Sequence, residues 1–388
     1  MEQNKAVVIG VNYYTGLSTV RALGRNGVYV VACEYDKNAY GLKSKYVNEV
    51  LWIDDVKSNS ESAFHTLIDY GKKQKSKPVL IPTHDNYVLL CDKYLDELKK
   101  YYLIPIQKQG LMTEVMHKNT LANLAKKHNV LIPEYYVLNE NPDFDFIKNK
   151  IGYPCIIKPN NSNNFVRKFK RKVLICNNEE ELIKSIKIMN ESDLSGKVEQ
   201  IIKGFDDHMF TYDAYVSKQG KVTHDVTMQK LRQFPINFGA SVYIHQTDVP
   251  KIREIGKNFL ENINWRGFAE IEFKKMQDTD DYYLIEINTR MTNFNALLEA
   301  LGLNMAYLTY LEMTGNEIGE KHIVEDTDLA FRYFFEDLAA IREYKKTGQL
   351  TSFDVIKTLN KKKVGAVWAK DDPMPAIKYF INKIKNHF

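Results

Sequence analysis

The stretch Gly267–Arg290, GFAEIEFKKMQDTDDYYLIEINTR, is the most informative part of the 388-residue sequence. Two runs in which apolar and polar residues alternate flank the turn-rich QDTDD, a pattern that predicts a β-hairpin. Side chains two residues apart in a strand share a face, so the polar positions of both runs would project the same way. These positions are Glu270, Glu272, Glu286, Asn288 and Arg290. A hairpin centred on Thr279 would set Glu272 opposite Glu286.

Facing carboxylates destabilise a sheet, and cations between them would relieve the repulsion. Glu272, Glu286 and Asn288 supply two carboxylates and an amide, oxygen donors that suit Mg²⁺ completed by phosphate oxygens. Two alternatives stay open on this segment alone. The hairpin could carry a solvated acidic face, or its register could slip by one residue because the turn is long.

A second informative segment is Tyr153–Asn164, YPCIIKPNNSNN. Lys158 closes a predicted buried strand, where a charge is costly unless it meets a counter-charge. The polar stretch that follows, residues 159–169, is predicted as a loop whose backbone N–H groups could hold a polyphosphate. GxxxxGK[ST] is absent, so this is not a Walker motif. The alternative is a strand-end lysine whose stem covers apolar surface.

Val198–Asp207, VEQIIKGFDD, has an apolar strand ending beside acids. Its backbone could contact an adenine edge while an acid holds a ribose hydroxyl; the alternative is a core strand followed by a loop. The N-terminal VVIGVNYYTGLST offers a dinucleotide-binding alternative, because Glu34 ends the second predicted strand where a ribose-binding acid would stand. However, G-x-G-x-x-G is absent, and Tyr13 and Tyr14 would crowd a pyrophosphate.

Strands and helices alternate in the first third of the chain, which predicts a parallel sheet covered on both faces. The predicted strands are 6–11, 28–33 and 78–82, and the predicted helices are 15–25, 61–73 and 86–100. Further on, long helices are predicted at 295–314 and 373–388. Soft boundaries near 115 and 200 give three expected domains, 1–115, 116–200 and 201–388.

Composition excludes several classes of protein. The formal net charge is only +5, which does not indicate a nucleic-acid partner. The longest apolar runs fall short of the ~20 residues that a spanning helix needs, and no signal peptide is evident, so we expect a cytoplasmic protein without a membrane partner. Cys33, Cys91, Cys155 and Cys176 form no CxxC and are expected to be small core residues in a reducing compartment.

These motifs occur in the order found in ATP-grasp enzymes, and the sequence resembles that superfamily over nearly its whole length. It is most similar to carboxylate–amine ligases of the D-aspartate ligase kind. The matching motifs are His117–Lys118, Ile156–Pro159, Val198–Ile202, Lys230–Pro235 (KLRQFP), Gly267–Phe273, Ile285–Arg290 and the tail Val367–Pro375 (VWAKDDPMP). One departure is that residues 160–169 contain no glycine, although the covering loop of the superfamily is usually glycine-rich.

The resemblance implies an α/β and α+β ATP-grasp fold preceded by a Rossmann-like domain, with ATP lying between two lobes. It implies that Lys118 and Lys158 contact the ATP phosphates. The residues implied at adenine are Glu199 and the backbone of Gln200, Ile201 and Ile202, with Asp207 or Asp206 at the ribose.

The resemblance also implies that Glu272, Glu286 and Asn288 hold two Mg²⁺ ions, for which Mn²⁺ is an alternative. Arg290, Lys230 and Arg232 would face the transferring phosphoryl group and the acyl phosphate. Asp85 would be a candidate contact for the substrate that is not a nucleotide.

The expected activity is therefore an ADP-forming ligase that joins small-molecule carboxylate and amine substrates, such as an amino acid of the D-aspartate type, and the family-level expectation is a homodimer. Three alternatives stay open. One is a degenerate protein that binds ATP without turnover, suggested by the glycine-free segment. The others are another ATP-grasp reaction, carboxylation or phosphoryl transfer, and the dinucleotide-dependent enzyme.

Overall fold

The computed structural model of the chain describes residues 4–160, 162–171, 173–237 and 239–385, and only the backbone of Lys118 and 162–164. The chain divides into two units. Unit 1 comprises Met1–His128, Phe205–Phe273 and Glu286–Phe388, and unit 2 comprises Asn129–Gly204 and Lys274–Ile285. The three expected domains remain a prediction.

Unit 1 begins with a four-stranded parallel sheet in the order β3-β2-β1-β4. Its strands are β1 (Ala6–Ile9), β2 (Val30–Glu34), β3 (Glu49–Trp52) and β4 (Val79–Pro82). The apolar side chains of β1 and β4 are buried, as expected for a sheet covered on both faces. The accompanying helices are α1 (Tyr14–Gly24), α2 (Ser60–Lys72), α3 (Asp85–Lys93), α4 (Leu95–Leu98), α5 (Leu111–Met116) and α6 (Lys118–Lys127), with a 3₁₀ turn at Tyr40–Lys43. The parallel sheet is confirmed, but the helix predicted at 86–100 is two helices.

The loop after β1 is built for packing and not for a dinucleotide. Both oxygens of the fully buried Glu34 accept backbone N–H groups, from Val11 and Asn12 on one side and from the two residues that follow Glu34 on the other. A Cβ on Gly16 would lie 1.9 Å from the carbonyl oxygen of Gly10, so the glycine permits close approach of α1 to the loop. Glu34 therefore has a structural role in place of the ribose-binding role that the dinucleotide alternative required.

Unit 2 contains a four-stranded antiparallel sheet in the order β5-β8-β6-β7. Its elements are β5 (Tyr135–Val137), α7 (Phe144–Phe146), a π-helical turn (Ile147–Ile151), β6 (Cys155–Pro159), α8 (Ser162–Phe169), β7 (Leu174–Cys176), α9 (Glu179–Asn190) and β8 (Gly196–Gln200). The prediction of a loop over residues 159–169 is wrong where α8 forms. Without glycine the segment can adopt a helix, and Phe165 is fully buried against Phe169 with 4.6 Å between ring centroids.

An eight-stranded sheet forms the rest of unit 1, in the order β13-β12-β9-β10-β11-β15-β16, with β14 beside β10. The strands are β9 (Met209–Val216), β10 (Val222–Phe234), β11 (Ala240–Gln246), β12 (Gly267–Lys275), β13 (Tyr282–Asn288), β14 (Lys321–Ile323), β15 (Leu329–Arg332) and β16 (Lys362–Gly365), after a 3₁₀ turn at Asp206–His208. Strands β12 and β13 form the predicted hairpin. The tip of this hairpin lies in unit 2. At the tip the N–H of Met276 donates to the carbonyl of Asp281, whereas a hairpin centred on Thr279 would set Met276 opposite Tyr282.

The helices of this part differ from the prediction at one point. They are α10 (Pro250–Asn262), α11 (Asn295–Ala300), α12 (Met305–Met313), α13 (Phe334–Lys346), α14 (Ser352–Lys357) and α15 (Met374–Lys385). The single helix predicted at 295–314 is divided, because Gly302 adopts a φ of 78° and ends the first helix. Asn304 then caps α12 by accepting from the N–H of Tyr307. Of the predicted helix 373–388, residues 386–388 lie outside the described residues.

Four buried cysteines are free, in agreement with their expected role as core residues. Among the residues that the structure describes, no helix combines the length and apolar character needed to cross a membrane. Within unit 1 Asp372 fixes the C-terminal segment to α1 and to the end of the 3₁₀ turn. Its carboxylate accepts from Arg21 Nε at 2.9 Å and Ser44 Oγ at 2.7 Å, and both Arg21 and Asp372 are buried.

Replacing Asp372 with Ala should lower the free energy of unfolding of unit 1 by about 3–5 kcal/mol, because the buried Arg21 guanidinium would lose its carboxylate and keep only backbone carbonyl acceptors. Denaturant unfolding followed by tryptophan fluorescence measures this, since Trp52, Trp265 and Trp368 all lie in unit 1. Asp328→Ala is the control, because the carboxylate of Asp328 is 81% exposed in its ion pair with Lys361. A loss no larger than that of the control would contradict the anchoring role of Asp372.

Candidate active site

The hairpin of β12 and β13 gathers four polar side chains on one face, which we call the acidic face: Glu270, Glu272, Glu286 and Asn288. Asn288 Nδ2 lies 3.2 Å from Glu270 Oε2 and 3.5 Å from both Glu272 Oε1 and Glu286 Oε1. The alternate polar positions therefore project together, as predicted. Glu270 is 3% exposed, and burial raises its pKa although the Lys230 and Arg290 charges oppose the shift.

Lys230 supplies a positive charge to this face. It lies on β10, is 3% exposed, and its Nζ is 2.5 Å from Glu272 Oε1. Burial alone would lower the pKa of Lys230, yet the Glu272 and Glu270 carboxylates hold it above its ordinary value. The two carboxylates therefore favour the charged form of Lys230 inside the sheet.

Asp213 is a functional candidate that the sequence reasoning missed. It lies on β9 and is fully buried; its Oδ2 accepts from Thr211 Oγ1 at 2.8 Å, and its Oδ1 is buried without a hydrogen-bond partner among the described residues. Burial, and then the charge of Glu270, raise the pKa of Asp213 well above its ordinary value. The signal in the sequence was a single acid inside the otherwise mostly apolar run FTYDAYV.

Arg290 and Asp85 come together although 205 residues separate them. Arg290 Nε donates to Asp85 Oδ1 at 2.6 Å, and Asp85 begins α3 at the carboxyl end of β4. Burial would lower the pKa of Arg290, but Asp85 and Glu270 raise it. The predicted phosphoryl-facing arginine and the predicted substrate contact thus form one ion pair.

Arg232 lies away from the acidic face. The pairing of β10 with β11 shifts between Lys230, which faces Ile244, and Arg232, which faces Tyr243. This irregularity interrupts the two-residue alternation that would have set Arg232 beside Lys230. The Arg232 guanidinium instead donates to Asp337 on α13 at 2.5 and 3.3 Å, and Asp337 also accepts from Arg332 Nε at 2.7 Å.

In unit 2, Lys158 forms an ion pair with Glu199, as does Lys197 at 2.7 Å. Adjacent positions of β6 and β8 bring them together, because Ile156 pairs with Glu199 and Lys158 with Lys197. Burial would raise the pKa of Glu199, but the two ammonium groups hold it below its ordinary value. Lys197 was not predicted, although alternation places it on the face of Glu199.

The other predicted nucleotide residues are distributed as follows. Gln200 ends β8, where its N–H donates to the carbonyl of Glu134, and Ile201 and Ile202 continue the chain beyond the strand. Asp206 is buried and accepts from the N–H of Asn237 and the hydroxyl of Tyr344, whereas Asp207 is half exposed. Of the two acids, Asp207 is the more exposed, and its Oδ1 lies 2.8 Å from His208 Nδ1. The Lys118 side chain lies outside the described residues.

The donor chemistry of the acidic face fits a divalent cation. In the ranges that the structure describes, no three His, Cys, Asp or Glu side chains are arranged to hold a metal by themselves, so a metal at this face would need the amide of Asn288 and ligand oxygens as well. The set here combines carboxylates with an amide, and the Nδ2 of Asn288 now lies where three carboxylates converge. Rotating this carboxamide would present Oδ1 in its place and complete an all-oxygen donor set.

Comparisons with known proteins identify the family of the chain. The family model described as carbamoyl-phosphate synthase L chain, ATP binding domain, matches residues 117–310, half of the chain. D-aspartate ligase of Enterococcus faecium (strain Aus0004) is 25% identical over 272 residues, which cover 66% of this chain. The alignment spans 62% of that relative, less than two thirds of its length.

Solved structures show the same fold. The biotin carboxylase domain dimer of Hydrogenobacter thermophilus 2-oxoglutarate carboxylase, in complex with MgADP, ADP and bicarbonate, matches with a TM-score of 0.66 and 14% identity over 85% of this chain and 74% of that one. N5-carboxyaminoimidazole synthetase from Staphylococcus aureus matches with a TM-score of 0.62 and 16% identity over 83% of this chain and 81% of that one. The predicted ATP-grasp fold is confirmed, and the chain belongs to the ATP-grasp superfamily, in the family of the carbamoyl-phosphate synthase L chain ATP-binding domain.

Proposed function

We propose that this ATP-grasp protein is an ADP-forming carboxylate–amine ligase, with an amino acid such as D-aspartate as one substrate. The observation that carries the proposal is the acidic face itself, where three carboxylates converge on Asn288 and two cations, Lys230 and Arg290, flank them. Such a site suits a reaction in which phosphate charge must be neutralised and two reactants aligned. The similarity to D-aspartate ligase supports the choice of reaction class.

In the proposed reaction, a substrate carboxylate oxygen attacks the γ-phosphorus of ATP, and the bond from that phosphorus to the β,γ-bridging oxygen breaks. ADP and an acyl phosphate result. The substrate amine then attacks the acyl carbon, the bond from carbon to the phosphate oxygen breaks, and the nitrogen releases a proton. The products are an amide and inorganic phosphate.

The residues of unit 1 would act through charge and position. Glu272, Glu286 and Asn288 would hold Mg²⁺, with two ions as our proposal, and bound Mg²⁺ would neutralise phosphate oxygens. Lys230 is fixed by Glu272 and would stabilise the charge on the transferring phosphoryl group. Arg290, fixed by Asp85, would orient the acyl phosphate. We do not assign such a role to Arg232, because Asp337 holds its guanidinium.

The residues of unit 2 would act on the nucleotide. Lys158 would bind ATP phosphates. Without nucleotide, its ion pair with Glu199 holds the ammonium group in place. Glu199 and the backbone of 200–202 would contact adenine. In unit 1, Asp207 would take the ribose, and Lys118 stays the proposed second phosphate contact. We further propose a homodimer in the cytoplasm, where the four free thiols would remain reduced.

The proposal is tested by Mg²⁺-dependent ADP release against D- and L-amino acids, each alone and with candidate carboxylate acceptors. Release that requires one carboxylate and one amine together is the expected result. ADP release that is stimulated by bicarbonate and needs no amine would indicate a carboxylase instead of a ligase. Binding of MgATP without release for any pair would favour the degenerate ATP-binding protein.

Glu272→Gln should lower Mg²⁺-dependent ADP release by about 100-fold or more, because it removes one charged metal donor and the partner of Lys230. Steady-state kinetics over a Mg²⁺ titration measure the loss. Glu320→Gln, an exposed carboxylate of unit 1, is the matched control and should retain full turnover. Unchanged turnover in the Glu272 variant would rule out the metal assignment.

Lys158→Ala should weaken ATP binding about 10- to 150-fold, the effect of losing a hydrogen bond worth about 1.5–3 kcal/mol to a charged group. Calorimetric titration of MgATP measures the affinity directly. Lys184→Ala removes an exposed lysine of α9 in the same unit and should bind ATP like the natural protein. An equal affinity in all three proteins would withdraw Lys158 from the phosphate site.

A further inference from the structure

Five tyrosines from four parts of unit 1 form a continuous cluster of rings. The tyrosine cluster consists of Tyr13, Tyr14, Tyr40, Tyr333 and Tyr379. Ring centroids are 4.1 Å apart for Tyr13 and Tyr14, and 4.7 Å apart for Tyr14 and Tyr333. They are 6.1 Å apart for Tyr333 and Tyr379, and 5.3 Å for Tyr379 and Tyr40. Aromatic faces in such an arrangement attract cations.

Glu336, the third residue of α13, is the carboxylate of this cluster. Its Oε1 accepts from Lys383 Nζ at 2.6 Å and from the Tyr379 hydroxyl at 3.3 Å. Its Oε2 is buried and has no hydrogen-bond partner in the described part of the chain, and the same holds for the hydroxyl of Tyr40, which is only 6% exposed. Buried polar atoms without partners are costly, so these two atoms have an unmet need for hydrogen bonds.

An ammonium group already occupies one side of the cluster. Lys383 on α15 places its Nζ against Glu336, 5.5 Å from the ring centroid of Tyr379 and 5.6 Å from that of Phe335. A carboxylate with flanking aromatic rings is the environment that proteins use to bind alkylammonium ions. The lysine side chain therefore shows which chemistry this site accepts.

The cluster continues into an apolar groove with a volume of about 400 Å³, which Tyr333 and Tyr379 also line. Arg332, which is paired with Asp337, also lines the groove, together with six exposed apolar side chains: Phe334, Phe335, Trp368, Ile377, Phe380 and Ile381. Trp368 is 63% exposed, an unusual state for so large an apolar side chain. A groove of this size holds a small-molecule ligand with an apolar body.

The cluster and the reacting groups share one edge of the first sheet. Tyr13 and Tyr14 follow β1, Asp85 follows β4, and these two parallel strands are neighbours. Ligands of parallel α/β sheets bind outside the carboxyl ends of the strands. Burial raises the pKa of the Tyr13 hydroxyl, and the charge of Arg290, which is paired with Asp85, lowers it.

We propose that the tyrosine cluster and the adjoining groove bind the amine substrate of the ligase, an ammonium ion carried on an apolar chain or ring. This inference rests on the proposed function. Glu336 binds the ammonium group, as it now binds Lys383, and the apolar body lies along the groove. Lys383 is then a competitor built into the chain, and the substrate must displace its ammonium group from Glu336.

Calorimetric titration of the full chain with n-hexylammonium, in the absence of nucleotide, tests the site. Binding of one equivalent is expected, with hexan-1-ol binding at least 10-fold more weakly. Glu336→Gln should lower the affinity at least 10-fold, and Lys383→Ala should raise it about 10-fold because the competing ammonium is gone. Lys385→Ala removes an exposed lysine from the same helix and should leave the affinity unchanged. Each methylene added from butyl to hexyl should tighten binding about fourfold.

Equal binding of hexylammonium and hexan-1-ol, or no binding to either the natural protein or the Lys383 variant, would overturn the inference. The Lys383 variant tests the same site through an expected gain of affinity. Poor folding of the Glu336 variant would therefore not protect the inference from a negative result. Hexylammonium could fail to bind while sedimentation velocity shows that Trp368→Ser converts oligomers into monomers. This result would make the groove an interface between copies of the chain.

The ligase reaction provides an independent readout. With an active carboxylate and amine pair, Glu336→Gln should raise the KM for the amine at least 10-fold and leave the KM for ATP unchanged. A purely structural role of Glu336 would change both or neither. Since hexylammonium binding needs no nucleotide, its failure leaves the proposed ligase untouched, and absence of ADP release leaves the binding result valid.

Discussion

Charge balance on the acidic face is the constraint on which unit 1 depends. Glu270 is buried beside Glu272 and Glu286, and Lys230 and Arg290 are the cations that compensate them. A buried charge without a partner costs several kcal/mol, so the strands that carry these groups must meet in one register. Asp85 also pairs with Arg290, so the carboxylates outnumber the two cations and leave negative charge in excess, the condition in which a divalent cation binds.

The same logic recurs in unit 2 on a smaller scale. Glu199 is buried between Lys158 and Lys197, and their ammonium groups keep it ionised against the cost of burial. Here the cations outnumber the carboxylate, so the excess charge has the sign that attracts phosphate. Each unit thus carries a preorganised group of charges whose surplus is opposite to that of the species proposed to bind there.

The sequence allowed the parallel sheet, the acidic hairpin and the strand-end Lys158 to be predicted, because each follows from local periodicity. What it could not supply depends on tertiary context. The irregular pairing that turns Arg232 away from Lys230 involves a neighbouring strand. The role of Glu34 depends on a loop 22 residues earlier whose N–H groups need acceptors. Residues 162–169 form a helix because Phe165 is buried in the core of unit 2. The polarity of the segment alone does not indicate this burial.

The Asp337 carboxylate has a consequence for how this chain can diverge. It is fully buried and shared by Arg232 and Arg332, so losing either guanidinium leaves it half compensated, and losing Asp337 leaves two cations facing each other. No single substitution at these positions avoids a penalty, whereas replacing all three by apolar residues can be nearly neutral. Descendants of this sequence should therefore keep the trio intact or exchange it as a set, which makes it a marker of lineage and not of substrate.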